Sequence, residues 1–360
     1  LSDAEFFFKQ DQKATLESRL PKLEHVVYHN KIGSQAQRID RLQTIAAHIA
    51  EQLGADRATA ERAARLAKAD LVTEMVGEFP ELQGTMGKYY AVLDGEQPEI
   101  AAAIEQHYQP RFAGDKLPES PIATAVALAD KLETLVGIWG IGLIPTGDKD
   151  PYALRRAALG VLRMLMNSPL SINDLLRTVA AQFPQDLLAA NTVSEVADFM
   201  QARLAVLLQN DYAQDTVAAV LAQRPDRLDD LADKLQAVES FKKLPEAAAL
   251  AAANKRVHNL LKKADAELGA AQENLLQEEA ERALFAATQA LRPTVQNALA
   301  QHDFQAALTA LSAVKPQVDA FFDNVMVMAD DAAVKQNRLN LLNELSQLMN
   351  AVADISLLSE

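Results

Sequence analysis

A cluster of positive charge lies within residues 241–265 of this 360-residue chain. The segment holds six cations and two anions, so its net charge is 6 − 2 = +4 inside a chain of formal net charge −14. On a helix, one face of its second half carries Lys255, Arg256, Asn259, Lys262 and Lys263. Cations grouped on one helix face are suited to contact phosphates of a nucleic acid. The alternative is a lysine-rich face that only meets solvent.

Two adjacent arginines, Arg155 and Arg156, follow a glycine-containing loop. We expect Asp150 to cap the helix that begins there, with Pro151 at its first position. Cations near a helix N-terminus oppose the macrodipole, so a negative charge should lie nearby. The candidates are Asp148 and Asp150, a carboxylate elsewhere in the chain, or an RNA phosphate. The Gly-Lys-Ser/Thr order of a P-loop is missing, which argues against that type of nucleotide site.

Asn337 and Arg338 are polar positions on a predicted apolar helix. The segment 321–328 before them is rich in Phe, Val and Met and is typical of a core, while Asp330 and Asp331 are suited to cap the helix. The two polar side chains could read the bases of an RNA or brace the loop before the helix.

Acidic side chains at two helical positions suggest a different chemistry. Asp70 follows Ala69 in one predicted helix, and Asp130 lies in another. A helical block with His, then His-Asp, then a distant Asp resembles the HD superfamily of metal-dependent phosphohydrolases, where these side chains hold a divalent metal. The resemblance implies a ligand set of His48, Asp70 and Asp130, but Ala69 replaces the histidine of the His-Asp pair. We therefore expect a vestigial motif without metal, its carboxylates paired with nearby lysines or helix ends.

Composition and apolar spacing predict an all-α chain. Ala and Leu dominate, Gly and Pro number only 13 and 14, and apolar residues recur at spacings of three and four. The absence of cysteine excludes disulfides, thiolate metal sites and cysteine nucleophiles. There is no Gly-x-Ser-x-Gly motif of a serine hydrolase and no apolar run of about 18 residues. The acidic balance excludes a general polyanion binder, so any nucleic-acid site must be a local basic patch.

Breaks in the helical pattern divide the chain into three predicted parts. An HD-like helical domain covers 1–168, a helical linker region covers 169–240, and a helical bundle covers 241–360. The first residue is Leu1 and no signal-peptide pattern follows it. We therefore expect a fragment of a longer protein.

Several stretches of the chain resemble the β subunit of bacterial tetrameric glycyl-tRNA synthetases. They are the runs 67–90, 107–112, 129–142, 145–162 (with its core Asp-Pro-Tyr-Ala-Leu-Arg-Arg), 248–257 and 321–342. The resemblance covers nearly the whole chain. It implies the C-terminal portion of that subunit, from the HD-like domain to a DALR-like anticodon-binding bundle at 241–360.

This resemblance implies a tRNA-binding role in glycyl-tRNA aminoacylation, with no catalytic residue in this chain. In the family a separate α subunit activates glycine with ATP and Mg²⁺, so we expect no cofactor here. The expected partners are tRNA(Gly) and the α subunit, in a cytoplasmic protein that binds neither DNA nor membranes. The contact residues follow from charge and helix face and are not carried over from the family. They are Lys255, Arg256, Asn259, Lys262, Lys263, Asn337, Arg338, Arg155 and Arg156.

Two other functions stay open at this point. One is an HD-type metal-dependent phosphohydrolase, which Ala69 disfavours. The other is a purely structural helical scaffold for subunit assembly. Metal content separates the hydrolase from a tRNA-binding protein, and salt-dependent tRNA affinity separates the scaffold from it.

Overall fold

The computed structural model describes residues 1–358, and nearly all of their regular structure is helical. The all-α prediction is therefore confirmed. The exception is an antiparallel pair of short strands, β1 (Val27–His29) and β2 (Gly33–Ser34). No helix within 1–358 combines the length and the apolar character needed to cross a bilayer.

The chain forms two units. Unit 1 comprises Leu1–Leu204 with Asp226–Asp229, and unit 2 comprises Ala205–Pro225 with the chain from Asp230 onward. The short return to unit 1 has a local cause. The Asp226 carbonyl accepts the N–H of Ile172 at 2.9 Å, and its carboxylate accepts the N–H of Asn173 at 2.8 Å and the Ser171 hydroxyl proton. The division into three parts at 1–168, 169–240 and 241–360 stays a prediction from the sequence.

Unit 1 is built from ten helices and the first part of an eleventh. They are α1 (Ser2–Asp11), α2 (Leu16–Arg19), α3 (Gln35–Gln52), α4 (Arg57–Leu66), α5 (Glu74–Glu78), α6 (Thr85–Leu93), α7 (Pro98–Gln106), α8 (Pro121–Gly140), α9 (Leu154–Leu165), α10 (Ile172–Ala180) and α11 (Thr192–Leu208). Three short 3-10 helices add to them: Leu20–His25, Ala69–Val72 and Pro80–Leu82.

Helix α8 is the centre of unit 1. It packs against α3, α4, α7, α9 and α10, and its Ala- and Leu-rich sequence is apolar on all sides, so nearly all of its side chains are buried. Its N-terminus is capped by the Ser120 side chain, which accepts the N–H of Ala123 at 3.0 Å. Because α8 is central, its charged residues Asp130, Lys131 and Glu133 are carried into the interior. Buried charges of this kind require partners.

Unit 2 contains the last part of α11 and seven further helices. They are α12 (Gln214–Leu221), α13 (Leu231–Phe241), α14 (Ala247–Leu261), α15 (Glu279–Ala300), α16 (Phe304–Ala310), α17 (Lys315–Asn324) and α18 (Ala332–Met349). Its 3-10 helices are Glu273–Leu275, Leu311–Val314 and Ile355–Leu357.

Helix α15 forms the main support of unit 2 and packs against α16, α17 and α18. Helix α14 packs against α17 and α18 and buries one face, which carries Leu250, Asn254 and Val257. The predicted cap of α18 is present, since the Asp331 side chain accepts the N–H groups of Ala333 and Val334. The opposite face of α14 is left to solvent.

Candidate nucleic-acid interface and the interior charges

The exposed side of α14 and the turn that follows it, which holds Lys262 and Lys263, carry the predicted cluster, which we call the α14 basic face. Its members Lys255, Arg256, Asn259, Lys262 and Lys263 are all exposed. Within residues 1–358, no carboxylate forms an ion pair with any of its four cations, whereas Lys242 and Lys335 in the same unit are paired with Asp215 and Asp265. The positive charges of the α14 basic face are therefore not paired with carboxylates, and an anionic partner could bind to them and to their N–H donors.

An aromatic ring beneath the α14 basic face was not predicted as functional. The guanidinium carbon of Arg256 lies 4.4 Å from the centre of the Phe322 ring, on α17. Such a cation–π contact is attractive and favours a position of the guanidinium over the ring. The sequence pattern assigned Phe322 to the core, and only the packing of α17 on α14 brings these two residues together.

Asn337 and Arg338 lie inside unit 2, with only 2% and 5% of their surfaces exposed. Arg338 places Nη2 2.7 Å from Glu281 Oε1 and donates from Nη1 to the Met326 carbonyl at 2.6 Å. The Asn337 amide exchanges two hydrogen bonds with the backbone of Gln272, at 2.7 and 3.1 Å. These side chains brace two loops, as one interpretation expected. A buried side chain does not reach an RNA base, so we leave both out of the proposed contact set.

Arg155 and Arg156 lie in the first turn of α9, which begins later than predicted. The helix starts at Leu154, and Pro151 belongs to a turn before it. Asp150 still caps the end, because its carboxylate accepts the N–H groups of Leu154 and Arg155, each at 2.9 Å. That carboxylate offsets the positive helix end. Neither guanidinium has an ion-pair partner in the part of the chain that the structure describes, and the Arg156 side chain is exposed.

Asp130, on α8, belongs to a buried network of charges. Its Oδ1 lies 2.8 Å from Arg38 Nη2 and 3.0 Å from Lys68 Nζ. Burial alone would raise the pKa of Asp130, but the adjacent Lys68 and Arg38 charges outweigh it and hold the pKa well below its usual range. Glu133, one turn further along α8, binds Arg38 Nε at 2.8 Å and Arg41 Nη2 at 3.0 Å. The network fastens α3 to α8 and leaves Asp130 neutralised.

The other two members of the implied HD set make separate contacts. Asp70 is fully buried, and its Oδ2 accepts the N–H groups of Gly84 at 2.7 Å and Gly87 at 3.0 Å. Burial raises the pKa of Asp70 to about 6. His48 Nε2 lies 3.1 Å from Asp174 Oδ2, on α10. Within 1–358 no three His, Asp or Glu side chains are grouped so that they could hold a metal. The residues present therefore do not fit the metal that the HD resemblance implies.

Two family models match successive parts of the chain. A family model described as the glycyl-tRNA synthetase beta subunit matches residues 1–222, and one described as the DALR anticodon binding domain matches 250–356. Over 360 residues the chain is 78% identical to the glycine–tRNA ligase beta subunit of Neisseria gonorrhoeae, covering 100% of this chain and 52% of that protein.

More distant relatives carry the same name. The chain is 56% identical over 362 residues to the protein of Ralstonia nicotianae and 57% identical over 363 residues to that of Aromatoleum aromaticum, with 100% of this chain and 52% of each relative covered. It thus spans about half the length of these relatives. The first family model alone covers more than half of the 360 residues. On this evidence the chain belongs to the glycyl-tRNA synthetase beta subunit family.

Proposed function

We propose that this chain is a tRNA-binding part of a glycine–tRNA ligase and that it holds tRNA(Gly) while a separate α subunit attaches the glycine. Family membership supports the proposal, as does the anticodon-binding match at 250–356, which includes most of α14. The name of its relatives, glycine–tRNA ligase beta subunit, indicates the reaction. The proposed partners are tRNA(Gly) and the α subunit, and the proposed location is the cytoplasm, where translation takes place.

The α14 basic face is the observation that carries this proposal. It presents four unpaired cations within a chain of net charge −14. Each cation that neutralises a phosphate releases condensed counterions, so four contacts correspond to a slope of about −3 in a plot of log affinity against log salt. Because the chain as a whole is acidic, RNA binding requires a local group of cations such as this one.

The same face can contact bases as well as phosphates. Arg256 is held over the Phe322 ring, so its planar guanidinium is already in place. Unstacked bases of RNA loops stack on arginine planes and aromatic rings. Asn259, exposed about one turn along α14, offers an amide with both donors and acceptors for base edges. This combination suits a single-stranded loop, such as an anticodon loop.

The proposed contribution of this chain to aminoacylation is binding energy. Its interior carboxylates Asp130 and Glu133 are already bound by arginine and lysine side chains and serve the fold. Contacts far from the reacting atoms can hold the acceptor end in place, and such positioning converts binding energy into rate. ATP and Mg²⁺ would act at the α subunit.

Charge reversal on α14 tests the proposal. We would compare the double variant Lys255→Glu, Arg256→Glu with Lys13→Glu, Lys22→Glu, which changes the net charge equally at exposed positions of unit 1. tRNA(Gly) binding is measured over a salt series, with this chain alone and with the α subunit added. We expect the α14 variant to bind at least about tenfold more weakly. The slope of log affinity against log salt should become less steep by about 1.5. The control variant keeps nearly the wild-type affinity and slope.

Two outcomes would contradict the proposal. Equal losses in the two variants would show that only net charge matters. No tRNA binding by the wild-type chain in either condition would leave the scaffold as the better explanation.

A further inference from the structure

An open cleft of about 470 Å³ is lined by residues of unit 1, whereas the α14 basic face belongs to unit 2. It is bordered by α8, the start of α9, the segment after α7 and the 3-10 helix Pro80–Leu82. Clefts of this size are typical of small-molecule sites. The charged residues of its lining are Arg111, Lys131, Arg156, Glu81 and Asp130, and the uncharged polar ones are Gln83, Tyr108 and Thr134. Its apolar walls are Pro80, Pro110, Ala153 and Ala157.

The charges that line the cleft are mostly positive. Arg111 and Arg156 are both exposed, and within 1–358 neither guanidinium forms an ion pair. The nearby Asp115 carboxylate accepts the backbone N–H of Arg111 at 2.8 Å. Asp130 also lines the cleft, but its charge is balanced by Arg38 and Lys68. Glu81 is therefore the remaining acidic residue of the lining. The cleft thus offers positive charge that the described part of the chain does not balance.

Lys131 is built into the wall of the cleft. Only 8% of its surface is exposed, and its Nζ donates to the carbonyls of His107 at 3.3 Å and Gln109 at 2.9 Å. Both acceptors are neutral, and an ammonium has three N–H donors, so one donor remains available for a further acceptor. The close approach of α9 keeps the side chain in place, since a Cβ at Gly160 would lie 3.0 Å from the Lys131 Cε. The hydrogen bonds of Lys131 thus go only to carbonyls, and its third N–H can be donated to an anion.

We propose that this cleft binds a nucleoside phosphate, either free or within an RNA chain. Lys131, Arg111 and Arg156 would hold the phosphate, because fixed ammonium and guanidinium groups make strong charge-assisted hydrogen bonds to phosphate oxygens. The apolar walls at Pro80 and Pro110 would take the base, since every base has an apolar face. The step is binding only, and no bond is made or broken. The inference does not depend on the tRNA-binding role of unit 2.

Titration calorimetry of the 360-residue chain tests the cleft with four probes: inorganic phosphate, 5′-AMP, adenosine and a single-stranded RNA hexamer. We expect 5′-AMP or the hexamer to bind at least about tenfold more tightly than adenosine, which lacks the phosphate. Binding of 5′-AMP would identify a free nucleotide as sufficient, and binding of the hexamer alone would identify an RNA segment. If neither binds, the proposal is wrong.

Arginine variants of unit 1 localise the site. Arg156→Ser removes a lining cation, whereas Arg57→Ser removes an equal charge from an exposed position that does not line the cleft. We expect Arg156→Ser, and likewise Arg111→Ser, to weaken binding about tenfold, and Arg57→Ser to leave it nearly unchanged. Equal effects of Arg57→Ser and Arg156→Ser would overturn the assignment to the cleft.

Chemical modification supplies a readout that needs no variant. Phenylglyoxal reacts with accessible arginine side chains, and mass spectrometry identifies each modified residue. A saturating probe should protect Arg111 and Arg156 and leave Arg57, which is exposed elsewhere in unit 1, as reactive as before. Protection of Arg57 to the same degree, or of none of the three, would contradict binding in the cleft.

Discussion

The ammonium nitrogen of Lys68 lies 3.0 Å from a carboxylate oxygen of Asp130, and both side chains are buried in unit 1. The same oxygen also accepts a hydrogen bond from Arg38 at 2.8 Å. In the HD resemblance, a carboxylate at this position would face a metal. Here two cations of the chain supply the compensating charge. The charge of Asp130 is thus balanced by side chains of the chain itself.

The first prediction concerns the buried acid beside this pair. Glu133→Gln should lower the free energy of unfolding by about 3 kcal/mol or more, because it leaves Arg38 and Arg41 without their shared carboxylate charge. Trp139, the one tryptophan of the sequence, lies on α8 and reports unfolding of unit 1 by its fluorescence in urea. As a control, Glu51→Gln removes an exposed pair with Arg57 and should cost less than about 1 kcal/mol. Similar losses in both variants would refute the importance of burial.

A second prediction separates bracing from base reading at Arg338. Arg338→Met should destabilise unit 2 by about 3 kcal/mol or more, since Glu281 then stays buried without its partner. Adding Glu281→Gln removes the unpaired charge and keeps an acceptor for the N–H of Glu278, so most of the stability should return. Hydrogen exchange of α15 and α18 measures both changes. If the double variant is stable but discriminates poorly between tRNAs, Arg338 has a role in recognition that its burial does not predict.

The third prediction is a pH dependence that comes from Asp70. Burial raises the pKa of Asp70 to about 6 in the folded chain, above its value in the unfolded chain. The folded state therefore holds this proton more tightly, and stability falls as pH rises through the window from about 4 to 6. Asp70→Asn cannot titrate, so the difference in unfolding free energy, wild type minus variant, should fall by about 2 kcal/mol between pH 4 and pH 7. A constant or rising difference in the Trp139 urea transition would contradict this assignment.

The fourth prediction concerns anion binding in the cleft of unit 1. Burial lowers the pKa of Lys131 to about 8, while Asp130 opposes that shift and Lys68 and Arg111 add to it. The charged form binds a phosphate, so the affinity for 5′-AMP should be steady from pH 7 to 8 and fall towards tenfold per pH unit above that. Lys68, whose pKa is also lowered to about 8, loses its charge over the same range and acts in the same direction.

Calorimetry at pH 7, 8 and 9 checks this dependence. The phosphate itself is already a dianion over most of this range, so its own titration has little influence. The variant Arg57→Ser, which leaves the cleft lining intact, should show the same pH profile as the wild type. An affinity that stays constant or rises up to pH 9 would show that Lys131 does not hold the phosphate.

Some of these features follow directly from sequence periodicity. A helix repeats every 3.6 residues, so the spacing of Lys255, Asn259 and Lys262 indicates one face, and that face is exposed. The all-α class follows in the same way from apolar spacing. Capping is less exact: Asp150 binds the end of α9, but the helix begins three residues after Pro151. Local pattern predicts an element well and its first residue less well.

Contacts between distant parts of the chain were beyond the reach of these patterns. Arg338 is an isolated cation on an apolar helix, and nothing local shows that Glu281, 57 residues earlier, meets it inside unit 2. The contact of Arg256 with Phe322 and that of Lys68 with Asp130 also depend on how helices pack. The cleft residues Arg111 and Lys131 come together for the same reason. For a polar residue on an apolar helix, the sequence therefore leaves two hypotheses: the side chain is exposed to solvent, or it is buried and paired with another polar group.

The most direct test of the central proposal is anticodon preference. The affinity of this chain is measured for tRNA(Gly) and for the same tRNA with a different anticodon, using the wild type and the variant Lys255→Glu, Arg256→Glu. We predict that the wild type prefers the glycine anticodon and that the variant loses both affinity and preference. Tight binding by the wild type without any preference, or a preference that survives in the variant, would contradict anticodon recognition by the α14 basic face.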